Sequence, residues 1–265
     1  MVGLVMKSNF LKNKNFKLNN KITVNLLFNK NLGNNLSLKL LLLQKFKNIN
    51  LDVNIKYKIN IELEENIKIN LVDDLFDLNL FNSEIYFILK KNSGLDYILK
   101  TDILHGCEYF CDKCLRKESI NNIYKKIHVN LLGQNSDANL KIAYNGAGNN
   151  FFNIETVQEH KACNTKSNLV IKTALSQFAK LYSDNLIKVD KNLSNIVSNQ
   201  EAKSLMFSCS TLALIKPRLN VESKDVVCKH GAAVSRLNED QLFYLESRGI
   251  DYCAAKDLLV NAFLS

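Results

Sequence analysis

Cys228 and His230 stand two residues apart in a stretch that reads as a β-strand, so both side chains fall on one face. A thiolate and an imidazole on one face can bind a soft or borderline metal, or a fragment of an iron–sulfur cluster. The same spacing also suits a buried cysteine beside a hydrogen-bonded histidine. Spacing alone leaves both readings open.

A second group lies upstream. His105 and Cys107 are followed by Cys111 and Cys114, and the three cysteines have the spacing C-x-x-x-C-x-x-C. That spacing resembles the radical-SAM signature, whose cysteines hold a cluster with one open iron. The downstream chain has too few helices for the α/β barrel those enzymes need. The four side chains also suit a zinc site, or iron, or unpaired thiols in a loop. A metal-dependent protein built on Cys107, Cys111 and Cys114 is therefore the alternative function. His160, in Gln158-Glu159-His160-Lys161, reads as a ligand or a turn residue, and His128 as a structural residue in an alternating strand. No glycine-rich P-loop, dinucleotide fingerprint, G-x-S-x-G or H-E-x-x-H is present.

The elements that position these residues fall into two kinds. Leu51, Val53, Ile55, Tyr57, Ile59, Ile61 and Leu63 alternate with polar residues, and Ile67, Ile69 and Leu71 continue the pattern. This period of two predicts strands with one inward apolar face. Further strands are expected at 22–28, 85–89, 123–132 and 169–171. Hairpin turns are almost missing, Asn145-Gly146 being the exception, and helical periodicity is nearly absent before Ser194. Many strands without hairpins or crossover helices suggest a sheet that winds on itself, as in a parallel β-helix, although no clean internal repeat is visible.

The C-terminal part reads differently. Residues 194–208 have helical spacing through Ile196, Val197, Leu205 and Met206, and 219–227 read as strand. Asn238 is placed as a helix N-cap with Gln241 three residues on, and Gly249 as the glycine after the helix end. Asp251 caps a second helix carrying Ala254, Ala255, Leu258, Leu259 and Phe263. The expected organisation is a strand-rich region over 1–193 leading into the core. A segment over 194–265 follows, with helices, the Cys-x-His strand and a helical hairpin over 238–265.

Composition narrows the partners. The chain has 265 residues and a net charge of +9, but only Arg116, Arg218, Arg236 and Arg248 are arginines. Scattered lysines alternating with asparagines read as solvated positions filled by biased codon usage, which argues against nucleic acid. Residues 38–43 are apolar but far too short to cross a membrane, and the opening Met1 to Met6 lacks the features of a signal peptide. Seven cysteines, an odd count, favour free thiols, a metal or a cluster over disulfides. The expected location is the cytoplasm, or the plastid or organelle stroma of an organism with an AT-rich genome.

Residues 216–234, KPRLNVESKDVVCKHGAAV, and 238–250, NEDQLFYLESRGI, resemble the C-terminal signature of the SufB/SufD family of iron–sulfur cluster assembly proteins. Upstream, HKACNTKS at 160–167 resembles that family's H-x-x-x-x-T-x-S, and 185–208 its G-x-I-x-V segment with the helix that follows. The resemblance covers about residues 128–265 and lies closer to SufD, since Cys228-Lys229-His230-Gly231-Ala232 stands where SufB-type chains carry Glu-His-Glu-Ala. Asn185 replaces the usual Gly, Lys224 the first Asp, Ala233 Thr and Leu193 Ala.

The resemblance implies a mainly β protein, a right-handed parallel β-helix core with a small C-terminal α-helical domain. It implies a non-catalytic scaffold in a SufBCD complex, forming a heterodimer with a SufB-type subunit. Cys228 and His230 would serve transient cluster assembly at the heterodimer interface. A SufC-type ABC ATPase would dock on the helical part through Leu242, Phe243, Tyr244, Arg248 and Gly249, with 194–208 adding to the surface.

Overall fold

The computed structural model describes residues 4–5, 21–28, 36–37, 56–73, 82–103 and 122–265. The His105, Cys107, Cys111 and Cys114 group lies outside the described residues.

Strand alternation dictates the architecture. From Lys56 onward most strands bury every second residue. β1 (Leu4–Val5), β2 (Lys21–Phe28), β4 (Lys56–Leu63), β6 (Asn82–Leu89), β8 (Asn122–Leu131), β10 (Phe151–His160), β12 (Lys180–Val189) and β14 (Leu212–Val221) form one sheet in that order. β3 (Leu36–Ser37), β5 (Lys68–Asp73), β7 (Gly94–Ile103), β9 (Asp137–Gly146), β11 (Lys166–Leu175), β13 (Ser194–Met206) and β15 (Asp225–Arg236) form the second. Every described pairing is parallel except β1 with β2. Successive strands thus alternate between two sheets and return one rung higher, which is a parallel β-helix.

Rung length explains why no repeat is legible. Residues stacked on neighbouring rungs are 26, 29, 31 or 43 positions apart.

Corners need backbone with positive φ, and asparagine supplies it: Asn66, Asn92, Asn135, Asn164 and Asn195 lie at φ between 54° and 61°. Their carboxamides stack, with Asn135 donating to Asn92 at 3.0 Å and Asn92 to Asn66 at 2.8 Å. A second ladder runs up the outer face of β9, β11 and β13: Asn199 donates to Asn168, Asn168 to Asn139, and Asn139 to Asp96, at 3.0–3.2 Å. These asparagines hold rungs together rather than filling solvated positions at random. At the corner before β9 only glycine fits, since a Cβ on Gly133 would lie 2.0 Å from the backbone nitrogen of Lys91.

The interior of the lower rungs is apolar, with Ile59, Ile61, Phe87, Leu99, Ile127, Leu140 and Phe152 fully buried or nearly so. One ion pair, Lys125–Asp73, is enclosed there, and Tyr97 donates its hydroxyl to the same carboxylate.

The expected helix over 194–208 is not formed. Residues 194–206 are β13, and the two sheets continue past residue 193, one to Val221 and the other to Arg236. Burial decides the matter: Ile196, Ser198, Gln200, Ala202 and Ser204 all point inward at period two. The strand expected over 219–227 is split between β14 and β15 by a corner at 222–224.

The helical hairpin forms as its caps require. In α1 (Glu239–Ser247), Asn238 Oδ1 accepts from the Asp240 N–H at 2.9 Å. Gly249, at φ +84°, follows the helix end, with Gly249 N–H bonded to Glu246 O and Ile250 N–H to Leu245 O. In α2 (Tyr252–Leu264), Asp251 accepts from Cys253 and Ala254. α2 packs Val260 and Leu264 against Ala174 of β11 and Ala143 of β9. No described helix is long and apolar enough to cross a membrane.

Candidate functional site at the open end of the solenoid

The last rung, β14 and β15, has no described strand above it. Its inward face is therefore half-open. Cys228 and His230 lie on that face, because their register partners Ser198 and Gln200 on β13 are buried. The structure brings the pair to one face as the spacing predicts. Cys228 is half-buried against Ile187, Val189 and Ile196, while His230 is exposed. Burial pushes the Cys228 thiol up from its ordinary value. Across the rung, Pro217 and Leu219 of β14 face the same space.

The two free strand edges differ. The Leu212 and Glu222 N–H groups bond down to the rung below, at Ala179 O just before β12 and at Val189 O at its end. Backbone groups alternate sides, so the N–H groups of 213, 215, 219 and 221 point to the free edge, and Pro217 interrupts them by having none. On β15, Leu237 N–H bonds down to Met206 O. Val226, Cys228, His230, Ala232, Val234 and Arg236 therefore present an unbroken row of N–H and C=O groups to the open edge. Exposed Val227 and Val234 lie along it, at 52% and 44%. A long, unguarded, partly apolar edge is a template for another strand.

Beneath this rung the interior turns polar. His160 is fully buried, with Nδ1 2.7 Å from Thr165 Oγ1 and Nε2 2.9 Å from Ser167 Oγ. Ser167 Oγ lies 2.7 Å from Ser198 Oγ. Burial lowers His160 to about 4, so the ring is neutral at pH 7. Both its nitrogens are engaged, which makes His160 a structural residue and not a ligand. Asn185 is likewise buried in regular strand and outside the positive-φ region; its Oδ1 accepts from Thr156 at 2.8 Å, and its Nδ2 donates to Ser183 at 2.9 Å. Sequence reasoning passed over Ser198, Gln200 and Ser204, whose polar character hides their inward position. His128 sits half-buried on the outer face, 3.1 Å from Glu159.

Of the residues expected to dock a partner on the hairpin, Phe243 and Tyr244 are 72% and 57% exposed. Arg248 stacks on the Tyr244 ring at 5.3 Å. Leu242 is buried and holds the hairpin, and Gly249 ends its first helix.

Among the described residues no three His, Cys, Asp or Glu side chains stand close enough to hold a metal. Cys228 and His230 thus offer two donors to anything bound at the open end.

Residues 119–263 match the family model described as "SUF system FeS cluster assembly, SufBD core domain". The chloroplastic protein ABCI7 of Arabidopsis thaliana is 39% identical over 80 residues, 30% of this chain and 17% of that protein. The iron–sulfur cluster assembly protein SufD of Escherichia coli is 29% identical over 133 residues, 50% of this chain and 31% of that protein. SufD of Plasmodium berghei is 25% identical over 221 residues, 76% of this chain and 16% of that protein. The chain thus spans less than a third of the length of each of these relatives.

Proposed function

The chain belongs to the SufB/SufD family of the SUF iron–sulfur cluster assembly system, and from that premise we propose that it is a SufD-like, non-catalytic scaffold subunit. It pairs with a SufB-type subunit through the open end of its solenoid, and its helical hairpin binds a SufC-type ABC ATPase that supplies the hydrolysis. The observation that carries this reading is the terminal rung. It combines an unpaired β15 edge, exposed apolar side chains and two soft-metal donors that need further ligands from outside the chain.

A partner strand added to β15 would cover Cys228 and His230 with its own side chains. The nascent cluster is cargo held there in passing, with Cys228 supplying a thiolate and His230 an imidazole nitrogen. On the hairpin, Phe243 and Tyr244 offer an exposed aromatic pair, and Arg248 a cation held in place by stacking. The chloroplastic name of one relative favours a plastid stroma over a bacterial cytosol.

Co-expression with SufB-like and SufC-like proteins of the same source, followed by anaerobic purification and mass measurement, tests the reading. A stable three-component assembly is expected. Arg248→Glu and Phe243→Asp should each release the ATPase while the pair of β-helices stays together. Undiminished ATPase retention by both variants would sink the hairpin assignment. Cys228→Ala and His230→Ala should leave the assembly intact and abolish cluster formation. A chain that purifies alone would overturn the scaffold reading.

A further inference from the structure

Gln200 stands on the rung beneath His230, as its register partner between β13 and β15. Register partners on parallel strands share a face and stack about 4.8 Å apart. Gln200 is fully buried, and His230 is exposed at the open end. Gln200 Nε2 donates to the backbone carbonyl of Asn185 at 3.1 Å. A carbonyl accepts and does not donate, so the orientation of this amide is fixed by chemistry: its nitrogen is engaged and its oxygen is left over. Gln200 Oε1 is buried and has no hydrogen-bond partner.

A buried acceptor without a partner is costly, and few survive in folded chains without a reason. Asn185, which anchors the amide, is itself held by Thr156 and Ser183. The orphaned oxygen therefore sits on a rigid support, one rung below an imidazole.

We propose that Gln200 is a positioning residue for His230: its Oε1 accepts one ring N–H of His230, which leaves the other ring nitrogen bare and turned to the site beside Cys228. This rests on the reading of His230 as an assembly residue. A neutral imidazole carries a single N–H, so anchoring that hydrogen selects the tautomer and sets the ring plane. In the chain alone, water competes for the exposed ring and the preference is partial. A partner covering the open end removes that water and leaves Gln200 Oε1 as the acceptor at hand.

The test uses the full chain labelled with nitrogen-15 histidine, alone and in the assembled complex, with long-range proton–nitrogen spectra identifying the tautomer of His230. The His230→Ala spectrum assigns the signal. The wild-type chain is expected to favour one tautomer, and the complex to hold that tautomer alone. Gln200→Leu should change the ratio in the chain and lose the single tautomer in the complex. An identical ratio in wild type and Gln200→Leu would overturn the proposal. If Gln200→Leu does not fold, the wild-type measurement still decides, since a His230 that exchanges between both tautomers in the complex overturns it as well. Cluster formation that survives His230→Ala would remove the functional reading while leaving the Gln200 contact standing, so the two failures are distinguishable.

Discussion

The middle rungs of the solenoid and its last rung are built from the same alternating strands, yet they differ in every energetic respect. Between β6 and β9 each strand is paired on both sides, and the inward face is aliphatic and aromatic around one enclosed ion pair. At β14 and β15 one side of each strand has no described neighbour, and the inward face is half-open. Between them lies a polar layer of Ser183, Asn185, Ser198, Gln200 and Ser204. Stability resides in the middle, where burial is complete. The proposed function draws on the end, where backbone groups and side chains are left open to solvent.

The comparison breaks hardest in the middle. Lys125→Ala strands the Asp73 carboxylate in the interior and should lower unfolding free energy by about 3–5 kcal/mol. Urea titration of the variant measures it, and a loss below about 1 kcal/mol would mean that the pair is not enclosed. The next largest effect is on pH. His160 titrates at about 4 when folded, against 6.5 when unfolded. The unfolded chain therefore takes up the proton first as pH falls. The stability that neutral His160 contributes is complete above about 6.5 and declines down to about 4, by on the order of 3 kcal/mol. His160→Gln should flatten that part of the stability–pH curve, measured by denaturation between pH 4 and 7.

Much of this was legible beforehand, and the failures share a cause. The strands over 56–71, the two helix caps at Asn238 and Asp251 and the glycine at 249 follow from alternation and capping, which are local. The residues over 194–208 read as a helix because the inward face of β13 is Ile, Ser, Gln, Ala and Ser, and a polar interior carries no hydrophobic alternation. The asparagines read as solvated filler because a ladder joins residues 26 to 43 positions apart, and no local window shows it. The Cys228 and His230 pair was visible by spacing. Gln200 beneath it was not, since its importance arises from register.

Smaller effects sharpen the contrast. Asn168→Ala removes one rung of the outer ladder, where Asn168 both donates and accepts. The expected loss is about 1 kcal/mol, because each bond is half-exposed and replaced by water. A thermal melt resolves that shift.

The smallest effect on folding belongs to the last rung. Pro217→Ala removes the one break in the donor row on the free edge of β14, at a position whose missing N–H faces no described strand. Folding stability should fall by about 0.5 kcal/mol, through the freedom that losing a proline returns to the unfolded chain. Association is where the change appears. With Pro217 in place, β15 is the unbroken edge of the last rung among the described strands, and a partner strand has one edge to take. With alanine, both edges of the last rung can pair, and the chain should form concentration-dependent dimers or larger species through β14. Light scattering across a range of concentrations decides it. A Pro217→Ala chain that associates no more than wild type would mean that the β14 edge is guarded by something other than its proline, and that the asymmetry between the two edges does not select the docking strand.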